Sequence, residues 1–474
     1  MTVYTRQDAP IFRTGARPKL PPVKRSHRQA ERPKQVAEPV KTEAVQALPA
    51  DAVAQAAPAA KGNRLFILFI FSLLFPIVIK LGPIVLFPYR IFLLVMFIPL
   101  FIRLVSGKAG GILTVDWFMM LATFWAGVAL AANHPFGRII EPFGVYTLEF
   151  FGAYLVGRIG IRSAKDFIYM VKLAFLCIAL LLPFAFIEAV TNKNILLDLL
   201  PSSIRDTDQG VRMGFHRAQT IFAHSIHYGV FASLLLGLTW YAFSPGKPLL
   251  RFILTFPVVA FSTFLSLATG ALIAFNVQFL LILWEVIMKP IRQRWVIFGW
   301  LSVAGYIFVD IMATKSPFHT LVAKLAFSQT SAYNRILIFD HGMKNVMANP
   351  WTGLGMNDWV RPSFMSSSTD NFWLLIAMRY GIPGFAFFAI AIFLIMRRGA
   401  RVPLTDPLDR ACRAGFLTAM GGLIISGGTV DYWKGMLAFM LFFIGSGVWL
   451  FSGGANTTPP APEEPDADTL RRQS

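Results

Sequence analysis

Long unbroken apolar blocks constrain this chain more than any other feature. Phe71–Ile79, Ile91–Ile102 and Ala386–Met396 are near-continuous apolar runs inside longer segments. Roughly 20 such residues span a bilayer as a helix, whereas a soluble core would break into shorter amphipathic pieces. Charged residues make up 15% of the chain, against about a quarter in soluble domains. Little of the sequence is therefore built to face water. The expectation is an all-α, polytopic helical membrane protein with about 12 transmembrane helices. They are placed near 64–82, 84–105, 112–132, 142–161, 166–188, 220–243, 250–268, 270–288, 295–313, 371–396, 413–430 and 435–452.

Both ends differ from this middle. Residues 1–62 are rich in Pro, Ala, Gln, Lys and Arg and poor in large apolar side chains, which predicts a disordered basic tail. No apolar core lies near its start, so it does not read as a cleavable signal peptide. Lys24, Arg25, Arg28, Arg32 and Lys34 should hold this tail in the cytoplasm and touch anionic membrane lipid. Residues 453–474 are Pro-rich and acidic and read as a second disordered cytoplasmic tail.

The net charge of +19 does not point to nucleic acid, because many of the cations lie in short connections between apolar segments. With the first tail inside, the even-numbered connections are inside too. They carry Arg103 and Lys108; Arg158, Arg162 and Lys165; Lys247 and Arg251; Lys289, Arg292 and Arg294; and Arg397, Arg398, Arg401, Arg410 and Arg413. That is the bias of the positive-inside rule. Two longer loops then fall outside, 189–219 and 314–370. The chain divides into the 1–62 tail, a first set of nine spans over 63–313, a loop domain over 314–370, three spans over 371–452 and the 453–474 tail. The outer loops hold cations against the bias: Lys193, Arg205, Arg212 and Arg217, then Lys315, Lys324, Arg335, Lys344 and Arg361. Ordinary solvated charge explains some of them; others are candidates to hold an anion.

In the larger loop, Ser331 is placed to cap a helix running to about Ala348, which Asn349-Pro350 stops. Trp351-Thr352-Gly353-Leu354-Gly355 should turn, and the polar stretch Ser366–Asn371 enters a span interrupted by Gly381-Ile382-Pro383-Gly384. A helix break at membrane depth is tolerated where backbone is buried in protein or lines a cavity. Cys177 and Cys412, the only cysteines, are expected in a span and in a basic loop, and have no metal or redox spacing.

These pieces in order, from Arg335 through Asn349-Pro350, Gly353-Leu354-Gly355 and Asp370-Asn371 to Gly381-Ile382-Pro383-Gly384, resemble the C-terminal signature of the O-antigen ligase and O-antigen polymerase superfamily. That group includes exopolysaccharide repeat-unit polymerases. Pro88-Tyr89-Arg90, Glu188, and Arg217-Ala218 with Phe222, His224 and Gly229 are similar too. Ligases of the family usually carry His-Asn where this chain has Asp370-Asn371, which favours a polymerase. The resemblance implies an enzyme of the bacterial inner membrane, with the 314–370 loop in the periplasm. The implied donor is an undecaprenyl-pyrophosphate-linked glycan, and the acceptor another glycan or lipid A core.

Such a reaction must stabilise a departing pyrophosphate and take a proton from an acceptor hydroxyl. Arginine suits the first task, since its planar fork binds phosphate oxygens in pairs and stays charged. Arg217 and Arg335 are the leading candidates, with Arg212 third. Asp370 is a candidate general base or, equally, the cap of the helix beginning at Asn371. His224, His319 and His341 are alternative bases. Arg90, Glu149 and Arg379 lie inside spans, where ionisable groups are costly. They either pair to fix helix packing or line the lipid-pyrophosphate cavity with Asn371. No clustered His, Cys or carboxylate set suggests a metal, and no Gly-rich phosphate loop suggests a nucleotide, so no cofactor is expected. A transporter or flippase of lipid-linked glycan is a second reading. It predicts two repeated halves, and the sequence shows no such symmetry.

Overall fold

The helices follow the apolar blocks, and their ends follow local chemistry. The computed structural model describes residues 65–81, 84–200, 210–243, 248–312 and 329–453. The 1–62 tail, nearly all of the 453–474 tail, Arg205, Lys247, Lys315, His319 and Lys324 lie outside the described residues. In order, the helices are α1 (Leu65–Leu74), α2 (Pro88–Val105), α3 (Thr114–Asn133), α4 (Phe136–Thr147), α5 (Ala153–Gly160), α6 (Ala164–Thr191), α7 (Ile195–Leu199), α8 (Ser225–Ala242), α9 (Pro248–Leu265), α10 (Thr269–Ile287), α11 (Arg294–Met312), α12 (Gln329–Ala348), α13 (Phe372–Arg401), α14 (Pro407–Gly427) and α15 (Gly435–Gly445). Among the described residues, seven helical stretches are long and apolar enough to cross a membrane, α4 and α5 counting as one continuous stretch, and three shorter apolar helices accompany them. The chain is an all-α multi-pass membrane protein. Two short antiparallel hairpins, Ile79–Leu81 with Ile84–Leu86 and Val211–Arg212 with Phe215–His216, are the strands among the described residues.

Three local expectations change. The first expected span, 64–82, is helical only over Leu65–Leu74. Pro76 follows, cannot donate to a helix and disfavours helical backbone before it, and the chain turns into the first hairpin. Ser331 does not cap α12, which is already helical from Gln329. Cys412 lies buried within α14 rather than in a loop, and both cysteines are free.

Helix α8 is the centre of the bundle. It is buried along nearly its whole length and packs against α9, α10 and α14. Its polar residues Ser233 and Thr239 turn their hydroxyls back onto backbone carbonyls of the preceding turn. Helix α11 is the opposite: it buries none of its residues, and Trp300, Tyr306, Phe308 and Ile311 all point outward. Helix α13 packs lengthwise on α3. Close approach there depends on small residues; a Cβ on Gly384 would come within 2.7 Å of Tyr380 Cβ and 3.3 Å of the Trp125 ring.

One cation assigned to a short inside connection is a core residue instead. Arg158 is 1% exposed and lies 3.4 Å from the Asp116 carboxylate. Its guanidinium donates to the carbonyls of Ala109 and Gly111 at 3.0 and 3.3 Å. Asp116 also accepts from the Tyr154 hydroxyl at 2.6 Å and the Leu113 amide at 2.8 Å. This set ties the α2–α3 connection to α5.

Candidate functional site

The segment carrying Arg212 and Arg217 joins α7 to α8. It reverses at Met213 and Gly214, whose φ values are 53° and 83°, so Gly214 adopts a conformation costly for other residues. Two supports then fix it. On one side, three successive carbonyls from the end of α9 receive it. Leu265 O accepts from the Ala218 amide at 3.0 Å, Ser266 O from Arg217 Nε at 3.5 Å, and Leu267 O from an Arg212 Nη at 3.0 Å. On the other side lies Glu188, buried near the end of α6. Its carboxylate accepts from the amides of Gln219 and Thr220 at 3.0 and 2.9 Å and from Asn194 Nδ2 at 3.2 Å. Glu188 thus orients the arginine segment through its backbone.

Arg335 arrives from α12. That helix buries Ile338 and Val346 with Leu374 and Met378 of α13, and Gly342 lets it approach: a Cβ there would stand 2.5 Å from Leu374. Helix α13 starts at Phe372, with Asn371 as its cap: Asn371 Oδ1 accepts from the Leu374 amide at 3.1 Å. The capping role expected of Asp370 therefore belongs to Asn371. Asp370 instead accepts from the Ser368 hydroxyl at 3.1 Å. The break in α13 has a clear purpose. Gly381 has φ 70°, and a Cβ on it would fall 2.0 Å from Trp351 O. The freed backbone groups pair with the Pro350–Gly355 turn: Ile382 N to Pro350 O and Leu354 N to Met378 O, both at 2.7 Å, and Gly355 N to Arg379 O at 3.0 Å. The break is buried in protein, one of the two circumstances expected from the sequence.

These supports bring Arg212, Arg217, Arg335 and Asp370 within electrostatic reach of one another. Burial chiefly, then Arg212, pushes the Arg217 guanidinium down to about 10, while Asp370 opposes the shift. Burial also lowers Arg335, with Asp370 again opposing and Arg212 adding. Among the described residues none of the three arginines forms an ion pair, and Arg335 Nε is buried without a hydrogen-bond partner. Three cations facing one nearby carboxylate leave an unneutralised positive site suited to an anion.

The other candidates divide. His224 borders the cluster; its Nδ1 accepts from the Ile226 amide at 3.1 Å to cap α8, and its ring stands 5.7 Å from that of Trp433. His341 follows Arg335 by six positions on α12 and so projects from a different face. Arg90 and Glu149 form an ion pair at 2.7 Å, with the Tyr89 hydroxyl donating to the same carboxylate oxygen at 2.6 Å. They anchor α2 to the π-helical turn Leu148–Gly152. Arg379 is exposed and reaches towards Asp431.

Asp431 was missed from the sequence. It lies in the α14–α15 connection, whose Val430 carbonyl accepts from the Phe372 amide at 2.9 Å. That bond sets Asp431 beside the Asp370 end of α13. Asp431 Oδ1 is buried without a hydrogen-bond partner. Burial, reinforced by Asp370 and opposed by Arg379, raises its carboxyl from 3.8 to about 6. The available signal was topological: the connection between the last two spans falls on the same side as the 314–370 loop.

Beside the cluster lies an apolar cleft with about 620 Å³ of space, its open mouth included. Leu73, Leu74, Phe222, Phe231 and Phe439 line it, with His227 and Lys434 among them. Lys434 Nζ stands 5.7 Å from the Phe87 ring, which also carries the Arg90 guanidinium at 5.1 Å.

No curated protein matches the chain. Residues 252–389 match the family model described as O-antigen ligase, a stretch that holds Arg335, Asp370, Asn371 and Arg379. Together with the ordered motifs and the multi-pass helical fold, this match supports the O-antigen ligase and polymerase superfamily as the family of this chain.

Proposed function

We propose that the chain is a membrane glycosyltransferase that polymerises glycan repeat units carried on undecaprenyl pyrophosphate, working at the periplasmic face of a bacterial inner membrane with both termini in the cytoplasm. The observation that carries this reading is the meeting of three unpaired arginines with Asp370. Arg212, Arg217 and Arg335 hold the pyrophosphate. The acceptor hydroxyl oxygen forms a bond to the anomeric carbon, the bond from that carbon to the phosphate oxygen breaks, and its electron pair leaves with the pyrophosphate. Charge grows on the leaving group, so cations already in place stabilise the transition state more than the ground state. The hydroxyl proton passes to Asp370, or to the neighbouring Asp431 carboxylate. The apolar cleft beside the arginines is suited to the start of a polyprenyl tail, and its chemistry supports a donor that is both anionic and lipid.

Asp370 in place of the histidine usual in ligases favours a polymerase; the match to the O-antigen ligase family favours a ligase that uses lipid A core. Reconstitution of the purified protein with a lipid-linked repeat unit and lipid A core decides between them. The expected product is a ladder of longer lipid-linked chains. Transfer onto lipid A core alone would make the chain a ligase, and no transfer to either acceptor would remove the reading.

A further inference from the structure

A second cavity, with about 690 Å³ of space including its mouth, has Thr369, the residue before Asp370, in its lining. Asn357, Asp358, Ser367, Thr369 and Arg379 give it polar groups, and Trp359, Leu375 and Met378 give it apolar walls. Its charges balance, one arginine against one aspartate, unlike the three-arginine site. Asp358 is already engaged by Arg361 at 2.7 Å, which holds its carboxyl below its ordinary range. A ligand matched to this lining is uncharged, rich in hydroxyl groups and able to lay a C–H face on apolar side chains. A saccharide has that chemistry.

The walls are fixed in advance. Asn345 grips the Val360 backbone from both sides, its Nδ2 donating to the carbonyl and its Oδ1 accepting from the amide, each at 2.9 Å. His134 Nε2 accepts from the Met356 amide at 2.8 Å, and Asn133 Nδ2 donates to Gly353 O at 3.2 Å. Trp359 Nε1 donates to Ser367 O at 3.2 Å, closing the loop across the cavity. A site held this way loses little entropy when a ligand enters. Thr369, buried in its lining, immediately precedes Asp370. Arg379 in the same lining interacts electrostatically with Asp431. The cavity lining is thus tied to both carboxylates, to Asp370 through the chain and to Asp431 through Arg379.

We propose that this cavity is the subsite for the acceptor glycan, binding an uncharged sugar residue through Asn357, Ser367 and Thr369 so that its hydroxyl faces Asp370 and Asp431. The assignment rests on the glycosyl-transfer reading above. The test uses full-length protein in detergent with two probes. One is the lipid-linked repeat unit of the producing strain, as donor. The other is the free oligosaccharide released from it by mild acid, as acceptor. Asn357→Ala, Thr369→Val and the cavity-filling Ser367→Trp should each raise the KM for the released oligosaccharide about tenfold or more and leave the KM for the donor within about twofold. Equal KM values for the oligosaccharide in wild type and all three variants, or a parallel rise in donor KM, would overturn the subsite. Direct binding of sugar-free polyprenyl pyrophosphate and of the released oligosaccharide separates this claim from the reading beneath it. If wild type binds the oligosaccharide, the variants bind it at least tenfold more weakly, and the sugar-free lipid does not bind at all, the subsite stands and the donor assignment fails. If the lipid binds in an Arg217-dependent way and the oligosaccharide binds all forms alike, the donor assignment stands and the subsite fails.

Discussion

Arg158 and Arg335 are both substantially buried arginines of a membrane protein, and their surroundings treat them in opposite ways. Around Arg158 the charge is neutralised: Asp116 faces it, two carbonyls accept from it, and Tyr154 and Leu113 satisfy the remaining carboxylate capacity. Around Arg335 stand Arg212 and Arg217, with Asp370 as the compensating charge. Desolvated charges destabilise unless paired. The first set is therefore a charge-balanced structural unit, while the second carries excess positive charge. Glu188 sharpens the contrast. A carboxylate stands close to the arginine segment and accepts from its backbone amides.

The largest effects should separate these two regions. Arg158→Leu strands Asp116 in the core, which costs roughly 3–5 kcal/mol, so the protein should be lost from the membrane. Arg335→Lys and Arg217→Lys keep a charge but lose the paired donors. Their membrane levels should be normal and transfer should fall about 100-fold or more. Immunoblotting of membranes with initial-rate assays checks both; normal activity in the two lysine variants together would erase the distinction.

Next in size is Asp370. Because Asn371 caps α13, Asp370→Asn should leave stability unchanged and reduce turnover about 100-fold. Asn371→Ala should do the reverse in kind, costing about 1 kcal/mol of stability with a smaller loss of rate. Thermal unfolding and single-turnover rates on the same preparations separate the pair. An Asp370→Asn enzyme at the wild-type rate would move the proton acceptor to Asp431.

The smallest effect concerns pH at Asp431. Its carboxyl is raised to about 6, so it gains its charge only as pH climbs through that value. Stability linked to the protonated form is present below about pH 4 and is lost as pH rises through about 6. Asp431→Asn should therefore melt higher than wild type at pH 8, with no difference near pH 4. If Asp431 shares the proton, the acid limb of the wild-type rate profile lies near pH 6 and disappears in Asp431→Asn. An unchanged profile leaves Asp370 as the acceptor.

The sequence by itself determined the fold class, because apolar blocks of bilayer length leave a helix as the way to satisfy their backbone. It also determined that Arg212, Arg217, Arg335 and Asp370 belong on one side, since cations placed against the topological bias stand out along the chain. Turn signals at Asn349-Pro350 and Gly381 were legible for the same reason: they act within a few residues. What only the tertiary structure decided depends on partners distant in sequence. Arg158, a loop cation by position, became a core ion pair because Asp116 of α3 meets it. Arg90 and Glu149 settled into packing across two helices. The cap passed from Asp370 to Asn371 by a single residue, a difference set by where the helix begins. Asp431 carries no motif, and its place in the site comes from the Val430–Phe372 hydrogen bond. Charge, apolar length and turn chemistry are local properties, whereas whether a charge is paired is a property of whatever folds against it.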